Sequence, residues 1–350
     1  MKTIRVGIAG YGWFGRIHAE TWRSLPNVEL VAICDTDASA HSSNSIRAQD
    51  AFHVGTRNST VSKELMPCKA FTDVRTMIAE SSLDLLDVVV PEAAHFEVAK
   101  AGLEAGLDVF VEKPFVTTKT ESAALLQLGN MHNANIHVGH ILRFDSRYRA
   151  LIQKLKDGRR DILSMSLSRN FQESAHSIYG RTHPFFSACI HDIDVALWAM
   201  GVRPTRATAV VRRFLGQQQP DILLGLLEWE SGATAVIQNA WHLSKRCPYG
   251  FTFESSFLVP GATYRIRNLP DLEIWSDDDG VNSPELFFWP DQDGERGGAL
   301  RAELTHVADC VADGRPSDWV PLADVHAAIC IAEALIASES SQSPVVINYD

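Results

Sequence analysis

Through the first 140 residues, short apolar and β-branched runs alternate with stretches whose apolar positions recur at helical spacing. The runs Ile4 to Ala9, Val28 to Cys34, Leu85 to Val90, Val109 to Glu112 and Asn135 to Gly139 read as strands. Helices are expected near 14–24, 73–80, 92–105 and 118–132, the third with Phe96, Ala99 and Leu103 on one face. Alternation at this interval implies parallel strands joined by right-handed crossovers, a doubly wound α/β sheet. The stretch 38–70 is rich in Ser and Asn and longer than a usual connection. A helix around 44–53 followed by a mobile loop is expected there.

After about residue 120 the alternation fades. Asp221 to Trp229, the turn Glu230-Ser231-Gly232-Ala233 and Thr234 to His242 read as a hairpin. Further strands are expected at 162–171, 205–214, 250–259 and 262–267, with the acidic turn Asp277-Asp278-Asp279-Gly280 between later ones. Helices near 299–313 and 322–338 close the chain, the second with Leu322, Val325, Ile329, Ala332 and Ile336 on one face. The expected division is an α/β nucleotide-binding domain over 1–120 and a sheet-rich α+β domain over 121–350.

Composition narrows the partners. The formal net charge of −11 opposes a nucleic acid or an anionic membrane surface, both of which require a basic field. The charged N-terminus leads straight into a glycine turn, unlike a signal peptide, and no apolar run approaches transmembrane length. Cys34, Cys68, Cys189, Cys247, Cys310 and Cys330 are scattered without a CxxC pair, as expected of reduced thiols in a cytoplasmic protein.

Four segments carry candidate chemistry. Gly10-Tyr11-Gly12-Trp13-Phe14-Gly15 is a full G-x-G-x-x-G that follows a strand and opens a helix, and Asp35 ends the second strand. Glycines there permit a tight turn and close approach to a pyrophosphate, the helix N-terminus favours its charge, and the acid reaches the ribose hydroxyls. Gly10, Gly12, Trp13, Phe14, Gly15 and Asp35 are therefore the candidate cofactor site. Asp35 and Asp37 would repel a 2′-phosphate, and no Arg follows them, so NAD is favoured over NADP.

Glu112-Lys113-Pro114 ends an apolar run, and on its own it reads as a solvated charged turn. Beside a dinucleotide fingerprint, the same Lys stands where open α/β sheets bind ligands. His191, in a helix-like run with Asp192 and Asp194, is open to two readings: a core histidine held by a carboxylate, or a general acid/base. A metal site is not expected, because the spacing supplies too few ligands. In the run Gly139 to Tyr148, His140 or Arg143 could face a crevice, or Arg143 could tie the two domains together.

Together these segments, with Pro91-x-x-x-His95, resemble the glucose–fructose oxidoreductase/inositol dehydrogenase (Gfo/Idh/MocA) family over nearly the whole chain. The resemblance implies a Rossmann domain joined to an α+β domain with an open-faced, mostly antiparallel sheet. It also implies hydride transfer between a nicotinamide nucleotide and a secondary carbinol of a sugar, sugar acid or cyclitol, in homodimers or homotetramers paired through that sheet. By position, Lys113 matches the family's active-site lysine and His191 its catalytic histidine. Pro91 and His95 would line the nicotinamide side, and Glu112 the cofactor side of Lys113.

Two positions depart from the family. Ser187 stands where inositol-type members often carry an Asp, and Glu92 follows Pro91 where Asn, Thr or Ser is common. Glu92 suits a helix N-terminus and could also touch ribose or substrate. Arg143, Arg169, His176, Tyr179 and Arg181 are substrate candidates, the last four for an anionic substituent, and Trp241 could stack on a sugar ring. Two other functions fit the same resemblance: an NAD-dependent redox-assisted glycosidase, and a non-catalytic nucleotide-sensing regulator.

Overall fold

The computed structural model describes residues 2–41, 68–157, 161–247, 251–268, 274–277, 280–282, 286–292 and 294–350. Among these, residues up to 144 with Leu286–Leu322 form one unit, and Asp145–Glu285 with Ala323–Asp350 form the other.

The first unit is built on six parallel strands: β1 (Ile4–Ala9), β2 (Val28–Cys34), β3 (Lys69–Phe71), β4 (Leu85–Val88), β5 (Asp108–Glu112) and β6 (Ile136–Gly139). Their order is β3-β2-β1-β4-β5-β6, reversing direction between β1 and β4. At such a switch point the carboxyl ends of the strands open a ligand crevice. Helices α1 (Trp13–Arg23), α2 (Val74–Ser81), α3 (His95–Glu104) and α4 (Lys119–His132) make the crossovers. Neighbouring residues Leu85 and Leu86, and Val109, Phe110 and Val111, are all fully buried, because this sheet is covered on both faces. Side chains fix the helix starts: Asp73 accepts from Thr76 N–H at 2.8 Å, and Thr118 Oγ1 accepts from Glu121 N–H at 3.1 Å.

In the second unit, α5 (Ser146–Asp157) precedes β7 (Ser164–Gln172). Short helices α6 (His176–Tyr179) and α7 (Pro184–Ser187) then lead into α8 (Ile190–Met200). Strands β8 (Arg206–Arg212), β9 (Ile222–Glu228), β10 (Thr234–Leu243), β11 (Phe251–Val259) and β12 (Ala262–Arg267) follow, then a small hairpin of β13 (Ile274–Ser276) and β14 (Gly280–Asn282). The chain returns to the first unit through β15 (Asp291–Gln292), β16 (Glu295–Arg296) and α9 (Gly298–Asp313). It ends in the second with α10 (Leu322–Ser341) and β17 (Val345–Val346).

The large sheet has the order β12-β11-β7-β10-β9-β8-β17, with β7 and β10 parallel and the other neighbours antiparallel. Met165, Leu167, Arg169 and Phe171 of β7 point into the core, while Ser166 on the other face is exposed. Val210, Leu224, Val236 and Leu258 also remain exposed. On the covered side, Ser338 of α10 accepts from Ala209 N–H at 2.9 Å.

The observed division differs from the one expected at 120/121. Helix α4 and strand β6 belong to the first sheet, with β6 pairing β5 from Ile136↔Val109 to Gly139↔Glu112. The return of 286–322 was not expected either. Arg296, nearly buried, reaches Glu20 of α1 at 2.7 Å, a link that local patterning does not encode. Strand β3 was also unforeseen, since Lys69-Ala70-Phe71 has no apolar run and is ordered by pairing with β2. The helix expected at 44–53 lies outside the described residues. The hairpin of β9 and β10 matches its expectation, with Gly232 at φ +85° in the turn.

Candidate active site

The glycine loop shows why each of its glycines is there. Gly10 has φ +95°, and a Cβ on it would lie 2.4 Å from the carbonyl oxygen of Val89, just past β4. A Cβ on Gly15 would lie 1.9 Å from the Gly10 carbonyl oxygen. Gly12, by contrast, has open space around its missing Cβ and begins α1 with no side-chain cap. The loop is thus packed behind and open in front, with helix N–H groups facing the opening: a cradle for a phosphate.

Asp35 braces this loop. One carboxylate oxygen accepts from Tyr11 N–H and the other from Asp37 N–H, both at 2.9 Å. Each oxygen keeps a further lone pair for a ribose hydroxyl. Trp13 and Phe14 pack on each other and on Trp289, with ring centroids 5.2 to 5.9 Å apart, so their rings wall the start of α1.

Lys113 stands half-buried immediately after β5, in the same unit and at the same edge of the sheet. The peptide between Lys113 and Pro114 is cis. Glu112 accepts from Lys113 N–H at 3.1 Å. His95 bridges two strand ends: Nδ1 is 2.8 Å from the Pro114 carbonyl and Nε2 is 2.9 Å from the Val90 carbonyl. His95 is buried, so it steadies the Lys113-Pro114 turn instead of presenting a face to a ligand. Pro91, by contrast, is exposed just before the turn Glu92–Ala94.

Behind Glu112 is a group of residues that sequence reading missed. His18 of α1 is completely buried, with Nδ1 3.0 Å from Asp87 Oδ2 and Nε2 3.5 Å from Glu112 Oε1. Trp22 Nε1 donates to the same Asp87 oxygen at 2.7 Å. Burial opposes charge on His18, yet the two carboxylates outweigh it and raise its pKa to about 10. The available signal was Asp87 itself, a carboxylate inside the apolar run Leu85 to Val90, since a buried charge requires a partner.

In the second unit, His191 sits half-buried in the first turn of α8. Its neighbour Asp192 is buried and takes the Arg169 guanidinium, Nε and one Nη each at 3.2 Å from an oxygen. Burial pushes the Asp192 carboxyl up while Arg169 pulls it down, and the net direction is up. Ser187 at the end of α7 is also buried.

Three substrate expectations are corrected. Arg169 is not presented to a substrate anion, because its fork is committed to Asp192 from β7 to α8. Trp241 is fully buried, stacked on Phe171 at 4.7 Å with His176 and Tyr179 against it, so it is core and not a sugar platform. Arg143 is closed off from solvent and donates to the Trp319 carbonyl at 3.0 Å, a link within the first unit. Arg181 remains exposed, and His176 and Tyr179 are half-buried. Among the described residues, no three His, Cys, Asp or Glu side chains are grouped to hold a metal.

Residues 4–140 match the model of an oxidoreductase family with an NAD-binding Rossmann fold, and residues 146–262 match the GFO/IDH/MocA C-terminal domain. The chain belongs to the Gfo/Idh/MocA family. Inositol 2-dehydrogenase 3 of Saccharopolyspora erythraea is 27% identical over 351 residues, covering 95% of this chain and 92% of that protein. UDP-N-acetylglucosamine 3-dehydrogenase of Acidithiobacillus ferrooxidans is 27% identical over 210 residues, 60% of this chain and 58% of that one. The fold matches scyllo-inositol dehydrogenase from Lactobacillus casei, solved with NAD(H) and scyllo-inositol, at TM-score 0.76 with 20% identity over 99% of both chains. This Gfo/Idh/MocA chain is an NAD-dependent oxidoreductase. The open cradle at Gly12 and the Asp35 carboxylate fit NAD's pyrophosphate and adenosine ribose.

Proposed function

We propose that the protein transfers hydride between NAD and a secondary carbinol of a sugar, sugar acid or cyclitol. One observation carries this: Lys113 stands at the carboxyl edge of the sheet that also forms the glycine cradle, braced through Glu112 and His95. The substrate class follows the relatives, which are named for inositol and for a nucleotide sugar. NAD, when bound, takes up or returns the hydride. The chain must then take the hydroxyl proton, and His191 is the group whose type suits that exchange near neutral pH. Lys113 donates a hydrogen bond to the same oxygen and stabilises its developing charge.

The test is absorbance of NADH with purified protein, NAD and a panel of cyclitols, sugars and sugar acids. An active member with loss in Lys113→Ala and His191→Ala supports the reading; no response on any of them sinks it. Release of an aglycone without net NADH would select the redox-assisted glycosidase instead.

The exposed Val210, Leu224, Val236 and Leu258 on strands β8 to β11 support pairing of two copies through the large sheet, read by light scattering. Among the described residues, no helix is long and apolar enough to cross a membrane.

A further inference from the structure

Glu112 is confined on two sides. The missing side chain of Gly139 makes room for it, since a Cβ there would lie 2.6 Å from Glu112 Oε1. On another side stands the His18 ring, whose Nε2 lies 3.5 Å from the same oxygen. The other carboxylate oxygen receives the Lys113 N–H. A continuous chain of polar contacts therefore runs from Trp22 through Asp87, His18 and Glu112 to the backbone of Lys113.

We propose that His18 is a positioning residue for Lys113, acting through the Glu112 carboxylate. The inference rests on the reading of Lys113 as a catalytic residue. Three features support it. His18 is fully buried, so its charge is not screened by water. Asp87 from β4 and Glu112 from β5 are the charged groups shown facing it, while Phe14 and Phe110 supply aromatic contacts at 4.6 and 5.9 Å. Asp87 holds the ring by its other nitrogen, and Trp22 holds Asp87, so the imidazolium has little freedom to leave Glu112.

With His18 in place, the negative charge beside Lys113 is balanced and its carboxylate is fixed against Gly139. Without that cation, Glu112 is left uncompensated at the end of β5, one residue from the amine-bearing side chain. An uncompensated carboxylate favours the charged amine and lowers its nucleophilicity. The effect passes through one identifiable group, which makes it separable from a general loss of packing.

The test uses the cofactor-free full-length protein and an N-hydroxysuccinimide ester, following each lysine by peptide mass spectrometry. At about pH 8, His18→Gln is expected to label Lys113 about three-fold more slowly than wild type, relative to exposed Lys2, because the neighbouring carboxylate loses its counter-charge. The double variant His18→Gln/Glu112→Gln is expected to return the rate toward wild type. An unchanged rate in His18→Gln, or no recovery in the double variant, overturns the proposal. If His18→Gln does not fold, Glu112→Gln alone decides: Lys113 labelling should rise, and an unchanged rate counts against it. Labelling needs no substrate, so its failure sinks this inference alone. Full turnover of myo-inositol by Lys113→Ala, in an enzyme active on it, would instead sink the catalytic reading of Lys113.

Discussion

His18 on α1 and Asp87 on β4 meet at 3.0 Å, with neither side chain exposed to solvent. Because His18 keeps its proton up to about 10 in the folded chain, against an ordinary value of 6.5, folding and protonation are coupled. Below the lower value both folded and unfolded chains carry the proton, and the stabilisation is complete. Between the two, the unfolded chain releases it and the folded chain does not, so stability is lost as pH rises toward 10. Thermal unfolding of the cofactor-free protein should show a falling Tm across this window, and His18→Gln should flatten that fall. Equal slopes in both proteins would refute the coupling.

His137 on β6 behaves in the opposite sense. It is buried with neither ring nitrogen hydrogen-bonded among the described residues, and burial, with His306 and Arg315 nearby, lowers its pKa to about 3. The unfolded chain takes up a proton as pH falls through 6.5, whereas the folded chain resists until about 3. Stability is present above the upper value and erodes as pH falls. His137→Leu should unfold less readily at about pH 4.5 than wild type, relative to their difference at neutral pH, because it removes the proton uptake by this group. Circular dichroism melts at the two pH values measure this.

The glycine loop separates folding from cofactor binding. Gly15→Ala places a methyl group 1.9 Å from a backbone oxygen and should lower Tm by several degrees. Gly12→Ala meets nothing within 4 Å in the protein, so its Tm without cofactor should stay near wild type while NAD affinity falls at least about ten-fold. Isothermal titration with NAD reads the second effect. Tight NAD binding by Gly12→Ala would show that the pyrophosphate does not lie over this residue.

Asp192→Ala leaves the Arg169 guanidinium buried without its carboxylate and should cost about 3–5 kcal/mol in denaturant unfolding. Arg169→Met/Asp192→Leu removes both charges and should recover more than half of that loss. Failure to recover would mean the pair's role lies in shape and not in charge. Since Asp192 directly follows His191, both variants are also expected to lose turnover.

Much of the fold was legible from local pattern. The runs of β1 and β2 and the hairpin of β9 and β10 stand where apolar spacing and turn glycines place them. Strand β3 and the return of α9 were not legible, because each is ordered by a distant partner: β2 for the strand, and α1, through Arg296 and Glu20, for the return. At the site, Gly10 and Gly15 announced themselves because the folded backbone leaves no room for a side chain there, and Gly12 because it completes their spacing. His18 did not, because a helix histidine gains meaning only from what it faces.

The sequence by itself determined the alternating architecture of the first unit, the dinucleotide loop and the placement of Lys113 after a strand, all consequences of short-range sterics and periodicity. Only the tertiary structure decided which polar groups pair. It committed Arg169 to Asp192, sealed Trp241 among Phe171, His176 and Tyr179, and brought His18 against Asp87 and Glu112. The reason is physical: burial turns a polar side chain's choice of partner into a large energy, and that partner comes from strands and helices far away in the chain.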